Sequence, residues 1–302
     1  MSKKVIFWGT PQFSLPSLKV LYKLDLINVL ITQVDKKGGR NNKLLTSPLK
    51  DYAFKHYLPL LQPHKLDSNF SKELEKYLPA TFIIVAYGQL IPPEILDLSE
   101  LQSLNIHPSQ LPILRGPSPI QTAILKGFHT TAVSLMQIDE KMDHGPILEQ
   151  REVIIDQEDN YLSLSDKLSI IGSQLLADNI IKYLKKELKG KEQDHSQATF
   201  CKLIKKKDGK IDWSNTAQDI NNQIRALNPW PSTFTTIKNL ELKILKVKIV
   251  DKELKEKEIL TEDNKLYIGT GTQSLEILEL QVAGKRKIAT KEFLRGYSKK
   301  LL

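Results

Sequence analysis

An amide and an imidazole stand two residues apart in Asn105-Ile106-His107-Pro108-Ser109. On an extended backbone, positions two apart point to the same face, so the two side chains converge. Pro108 favours an extended conformation at His107 and helps to fix that geometry. A carboxamide can donate a hydrogen bond to a developing oxyanion, and an imidazole can move a proton near neutral pH. Taken alone, the pair more readily describes two hydrogen-bonded loop residues. Asp143, in Met142-Asp143-His144-Gly145-Pro146-Ile147, adds a carboxylate able to orient His107, favour its protonated form or hold a water. Asp-His-Gly also suits a plain turn. The chain has six histidines, none in H-E-x-x-H or a similar ligand spacing, so no metal is expected.

These groups need strands to hold them. Apolar runs at 5–9, 28–32, 81–86, 101–106 and 132–138 read as strands, with a helical run at 14–22. Their alternation argues for α/β architecture, a doubly wound sheet of parallel β-α-β units with ligands at the strand C-termini. On that reading Asp143 reaches the crevice from the end of strand 132–138. The first turn, Gly9-Thr10-Pro11-Gln12-Phe13, has one glycine, and neither G-x-G-x-x-G nor G-x-x-x-x-G-K-[ST] occurs. No nucleotide cofactor is expected.

A helix is expected over 163–187, then a polar, lysine-rich stretch over 185–210 that reads as a linker. A second helix, 216–227, stops at Asn228-Pro229-Trp230-Pro231. Period-two runs at 242–250, 266–268 and 275–280, with no helices between them, indicate a small β-barrel or sandwich. The expected domains are 1–187 and 208–302, joined by a basic linker over 188–207. Trp213 and Trp230 could stack on bases but read rather as core, and the lone Cys201 as incidental.

The chain has 302 residues, 40% hydrophobic and 26% charged, ordinary for a globular protein of about two domains. One cysteine excludes an internal disulfide or a cysteine zinc cage and points to a reducing cytosol. No apolar run is long enough to span a membrane, and Val5-Ile6-Phe7-Trp8 is too short for a signal peptide. A cytoplasmic protein with no membrane association is expected, with monomer as the default state. Charge divides unevenly: residues 1–200 hold 23 Lys/Arg against 22 Asp/Glu, and 201–302 hold 21 against 13. A near-neutral body joined to a strongly basic module suggests a polyanionic partner.

The run Asn105-Ile106-His107-Pro108-Ser109 with Leu111-Pro112 and Arg115-Gly116-Pro117-Ser118-Pro119-Ile120 resembles the signature of the folate-dependent formyltransferases. Four more segments resemble the branch whose acceptor is the methionine carried by initiator tRNA. They are Phe7-Trp8-Gly9-Thr10-Pro11-Gln12-Phe13, Thr32-Gln33-Val34-Asp35 with the basic loop after it, Val85-Ala86-Tyr87-Gly88, and Phe293-Leu294-Arg295-Gly296.

The resemblance implies a Rossmann-like doubly wound catalytic domain and a C-terminal OB-like β-barrel. It implies 10-formyltetrahydrofolate as donor, the α-amine of initiator methionyl-tRNA as acceptor, and a catalytic set falling on Asn105, His107 and Asp143. Folate contacts are implied at Ala86, Tyr87, Gly88, Gln89, Leu90, Ile91, Ser109, Leu111, Pro112 and Asp139. The chain departs from the family's common pattern at Gln110, Leu114 and His144, where leucine, tryptophan and threonine are usual.

Lys36-Lys37-Gly38-Gly39-Arg40-Asn41-Asn42-Lys43 has four basic residues and no apolar one. It reads either as a solvated loop or as a flexible basic finger that orders on RNA. The family's corresponding loop meets the tRNA acceptor stem, which favours the finger. Lys36, Lys37, Arg40 and Lys43 are thus candidate tRNA contacts, Arg40 foremost because its planar fork suits phosphates and base edges. Lys205, Lys206 and Lys207, flanked by Lys202 and Lys210, are further candidates, as are Lys285 and Arg286 beside Lys287, and Lys299 and Lys300. A formyltransferase for a small amine, a formate-releasing hydrolase and a non-catalytic RNA binder are the competing readings. The first shares the catalytic set but does not need the basic finger or the basic module, the second would turn the same set on water, and the last does not need the catalytic set.

Overall fold

A run buried at every position, Val5-Ile6-Phe7-Trp8-Gly9, belongs in the interior of a sheet covered on both faces. In the computed structural model, which describes residues 4–38 and 43–301, that run is β1 (Val5–Gly9). A short 3-10 turn leads into α1 (Leu15–Lys23) and then β2 (Ile27–Ile31). A hairpin, β3 (Lys36–Gly38) with β4 (Lys43–Leu45), precedes α2 (Pro48–Lys55), which starts where the Ser47 hydroxyl accepts the Lys50 N–H. Next come β5 (Leu60–Leu61), α3 (Ser68–Leu74), β6 (Thr81–Val85), α4 (Pro93–Leu96) and β7 (Leu104–His107). They are followed by α5 (Pro119–Leu125), β8 (Thr130–Gln137), β9 (Ile147–Ile154) and the long α6 (Tyr161–Leu184).

The chain divides into two compact units. The first takes residues up to 116, 130–153 and 165–200; the second takes 117–129, 154–164 and 201–302. The first unit holds a seven-stranded sheet in the order β5-β2-β1-β6-β7-β8-β9, with β5, β2, β1, β6 and β7 parallel. Strand order reverses at β1, and a doubly wound sheet binds its ligand beyond the strand ends at that reversal. Beneath it Trp8 packs on Phe70, Phe82 and Tyr87.

Two expectations need correction. β8 is antiparallel to β7, with Leu104 opposite Gln137 and His107 opposite Ser134. The end of β8 therefore lies beside the start of β7, and Asp143 does not arrive from the end of a parallel strand. The chain instead doubles back after β8, the Pro146 carbonyl accepting the Gln137 N–H at 2.8 Å. The basic run is also not a bare loop: backbone pairing of Lys37 with Leu44 and Gly38 with Lys43 makes its flanks a hairpin.

In the second unit, α7 (Ala217–Leu227) is capped by the Thr216 hydroxyl and followed by β10 (Thr233–Ile237) and β11 (Leu240–Val250). Then come β12 (Ile259–Glu262), β13 (Lys265–Gly269), β14 (Ser274–Val282), β15 (Lys287–Ala289) and α8 (Thr290–Leu301). These strands form an antiparallel OB-like sheet, β10-β11-β14-β13-β12, with β15 on β14. Ile220 and Ile224 of α7 and Phe293 of α8 share a core with Ile244, Ile268, Leu275 and Ile277. Trp213 is buried there and donates its Nε1–H to Thr235 at 2.9 Å, as its reading as core requires. Trp230, also expected in the core, is 58% exposed between two prolines.

Candidate active site

Alternation along β7 sends Ile106 one way and Asn105 with His107 the other. The Ile106 side meets α6 so closely that a Cβ on Gly172 would lie 2.8 Å from Ile106 Cγ2. On the opposite side His107 is 5% exposed. Its Nε2–H donates to the Leu114 carbonyl at 3.1 Å, and its Nδ1 stands 3.5 Å from Asp143 Oδ1. Asn105 is half-buried, and its carboxamide has no hydrogen bond among the described residues.

The segment facing β7 is shaped by left-handed backbone. Leu114 (φ +59°), Gly116 (φ +116°) and Asp143 (φ +48°) all lie there, a conformation that non-glycine residues hold only when their surroundings impose it. At Asp143 the surroundings are visible. The Gly116 N–H donates to Oδ2 at 2.7 Å, leaving Oδ1 toward His107. Gln193 Nε2 donates to the carbonyls of Asp143 at 3.0 Å and Gly145 at 2.7 Å. Gly145 is pressed against the end of β8, where a Cβ would fall 2.1 Å from Gln137 O.

Behind the turn lies Arg115, 3% exposed, donating from Nε (3.2 Å) and Nη2 (2.6 Å) to Gln193 Oε1 and from Nη2 to His195 Nδ1 (2.9 Å). Burial draws the guanidinium below its ordinary pKa, and the nearby charges of Asp143 and Asp139 oppose that shift. His195 stacks on His144 with ring centroids 3.8 Å apart, and His144 Nδ1 lies 2.6 Å from Asp139 Oδ2. Neither Gln193 nor His195 was singled out by sequence reasoning. Both lie in the stretch read as a linker, whose local pattern says nothing of residues fifty positions away.

The segment expected to contact folate follows β6, at the sheet's reversal. Ala86 (φ +48°) and Gly88 (φ +83°) bracket Tyr87, whose carbonyl accepts from Thr10 Oγ1 at 2.9 Å and Gln33 Nε2 at 2.8 Å. The Tyr87 ring is buried, its hydroxyl has no hydrogen-bond partner among the described residues, and burial pushes its pKa up to about 12. Gln89 is exposed, Leu90 is 90% exposed, and Ile91 turns inward. Ser109 is fully buried and donates its hydroxyl to Ile113 O at 2.6 Å; Leu111 is buried beside Pro112. Asp139 stays partly exposed while holding His144 and the Lys141 N–H.

Among the basic candidates, Lys36 Nζ donates to Gln33 Oε1 at 2.7 Å. Lys37 and Lys43 lie on the hairpin strands, and Arg40 lies outside the described residues. Lys205, Lys206 and Lys207 are exposed around a 3-10 turn closed by Lys205 N–H on Asp208 Oδ2 at 2.7 Å. Lys285 is exposed, and Arg286 pairs with Glu292 at 2.6 Å. Cys201 is buried and accepts the Ser118 N–H at 3.3 Å. Among the described residues no cluster of three His, Cys, Asp or Glu side chains could hold a metal, and no helix is long and apolar enough to cross a membrane.

The Formyl transferase domain family matches residues 4–180, and the Formyl transferase C-terminal domain family matches 203–298. The methionyl-tRNA formyltransferase of Thermodesulfovibrio yellowstonii is 40% identical over 298 residues, covering 98% of this chain and 96% of that protein. That of Bacillus subtilis is 35% identical over 302 residues, covering 97% and 94%. In fold, the N-formyltransferase from Helicobacter canadensis, solved with folinic acid and dTDP-3-aminofucose, matches with a TM-score of 0.70 at 20% identity. That match covers 91% of this chain and 98% of the other.

Proposed function

The chain belongs to the methionyl-tRNA formyltransferase family, and we propose from that premise that Asn105, His107 and Asp143 carry out its reaction. The reaction moves the formyl group of 10-formyltetrahydrofolate onto the α-amine of methionine on initiator tRNA, giving N-formylmethionyl-tRNA. Attack of the amine nitrogen on the formyl carbon puts negative charge on the formyl oxygen. One proton must also pass from the attacking nitrogen to the folate nitrogen that leaves.

Asn105, whose carboxamide is committed to no other group among the described residues, donates to the developing oxyanion. His107 is held by Leu114 O at Nε2, so Nδ1 is its working nitrogen: in the protonated ring it is the second donor, and it carries the proton. Asp143 orients that ring and accepts a proton directly or through a water. The single observation that carries this reading is the division of labour on Asp143, with Oδ2 fixed by Gly116 N–H and Oδ1 left 3.5 Å from His107 Nδ1.

The segment 86–91 fits the donor. It lies at the sheet's reversal and offers Leu90 as an apolar wall and Gln89 as a polar group, a combination suited to a flat heterocycle. Ala86 and Gly88 set the backbone there, and Pro112 and Asp139 contribute at their own loops. Tyr87, Ile91, Ser109 and Leu111 act from inside by shaping the wall. The catalytic part is assigned to 1–187 and the tRNA-facing part to 208–302. Lys36, Lys37, Arg40, Lys43, Lys205, Lys206, Lys207, Lys285 and Arg286 meet tRNA phosphates, with 188–207 as the basic connection. The enzyme works as a monomer in the cytoplasm, where initiator tRNA is charged.

The test is formylation with 10-formyltetrahydrofolate and methionylated initiator tRNA, beside uncharged tRNA, free methionine and no acceptor. Formyl-methionine on the charged tRNA alone is expected. Formate released without acceptor would replace this reading with a hydrolase, and tRNA binding without turnover would leave an RNA-binding module.

A further inference from the structure

Gln193 is a neutral amide in the charged run Lys189-Gly190-Lys191-Glu192-Gln193-Asp194, yet it is only 6% exposed while both its neighbours lie at the surface. The segment is not tethered loosely: Ile147 and Lys191 exchange both backbone hydrogen bonds at 2.8 Å. Every polar atom of the side chain is in use. Oε1 accepts twice from Arg115, and Nε2 donates to the carbonyls of Asp143 and Gly145. A guanidinium only donates and a carbonyl only accepts, so these partners fix which end of the amide is which. A flipped amide would set like against like at every one of these bonds.

Arg115 directly precedes Gly116, whose N–H holds Asp143 Oδ2. A closed circuit results, from the Asp143 carbonyl through Gln193 and the Arg115 side chain to the Gly116 N–H and back to the Asp143 carboxylate. It grips Asp143 at backbone and side chain together, which is what a residue at φ +48° requires. A glutamate would pair more strongly with the buried Arg115, but it would offer no donor to the two carbonyls. Glutamine alone serves both neighbours.

We propose that Gln193 is a positioning residue of the formyl transfer: its carboxamide, oriented by Arg115, holds the Asp143–Gly145 backbone so that the Asp143 carboxylate faces His107. The proposal rests on the reading that Asp143 and His107 act in the reaction, and the experiment separates the two. Gln193→Glu keeps the acceptor for Arg115 and loses both donors, while Gln193→Met keeps the shape and loses everything polar. In both, kcat should fall about tenfold to 100-fold, the range for a reacting group displaced by about an ångström, with KM for both substrates close to wild type.

If Gln193 acts through the carboxylate, adding Gln193→Glu to Asp143→Asn should cost no more than about twofold further. Wild-type kcat in both Gln193 variants, alongside a loss in Asp143→Asn, would overturn the positioning role alone. Undiminished activity in Asp143→Asn would overturn the site reading beneath it. Gln193→Glu losing as much in the Asp143→Asn background as alone, or failure of both Gln193 variants to fold, would assign Gln193 to stability and overturn the proposal.

Discussion

The turn around Asp143 in the first unit and the antiparallel sheet of the second are built on opposite principles. The turn is short, polar and buried: Arg115, Gln193 and His107 are nearly excluded from water, and Leu114, Gly116 and Asp143 hold left-handed backbone. The sheet puts isoleucines, leucines and aromatics inside, with Lys243 and, past an irregularity in β11, Lys246 and Lys248 outside. A reacting group must be held to a fraction of an ångström, which takes directional contacts whose every partner is satisfied. A docking surface for a phosphate backbone needs only charge carried on something rigid, because such contacts position without reading sequence.

The largest expected effect tests the first half of that contrast. Asn105→Ala removes the proposed oxyanion donor, so turnover should fall on the order of 100-fold to 1,000-fold. Its melting temperature should stay near wild type, because the amide makes no hydrogen bond among the described residues. A variant that kept its turnover would remove Asn105 from the chemistry.

The second half is sharpened by replacing Lys205, Lys206 and Lys207 with alanine together. Binding of tRNA should weaken, and the slope of log affinity against log salt should become shallower by about one for each phosphate no longer neutralised. Turnover at saturating tRNA should hold. A lost kcat with unchanged affinity would mean that this turn belongs to the chemistry after all.

The smallest effect concerns a polar atom that the first unit leaves unsatisfied. Tyr87→Phe deletes a buried hydroxyl without a partner among the described residues and should raise stability by about 1 kcal/mol in urea melts. The folded pKa, about 12, lies above the ordinary 10.0, so the wild type's stability is unaffected by this group's ionisation below pH 10 and falls as pH rises toward 12. In the variant that alkaline component should be absent. An unchanged alkaline melting profile would show that Tyr87 does not titrate as its burial dictates.

Much of this arrangement was legible locally. Five consecutive buried residues made β1 evident, and period two along Asn105 and His107 placed both on one face of β7. What escaped was decided at long range. The reversal of β8 depends on its pairing with β7 rather than on its own residues. Trp230 has a core side chain but sits between prolines that leave it in solvent. The helix α8 turns Phe293, Leu294 and Tyr297 toward one core, a helical spacing of one and four carried by only three apolar residues at the end of the chain. Gln193 gave no local signal, because its meaning lies in carbonyls fifty residues upstream.

The proposed role of the Asp143 carboxylate, held toward His107, is to move the proton of the transfer. Single-turnover formylation of methionyl-tRNA by Asp143→Asn, at saturating tRNA and 10-formyltetrahydrofolate, tests it most directly. Asparagine keeps an oxygen for the Gly116 N–H and cannot take the proton. The expected result is a rate lower by about 100-fold or more with tRNA affinity unchanged. A rate within a few-fold of wild type would contradict it.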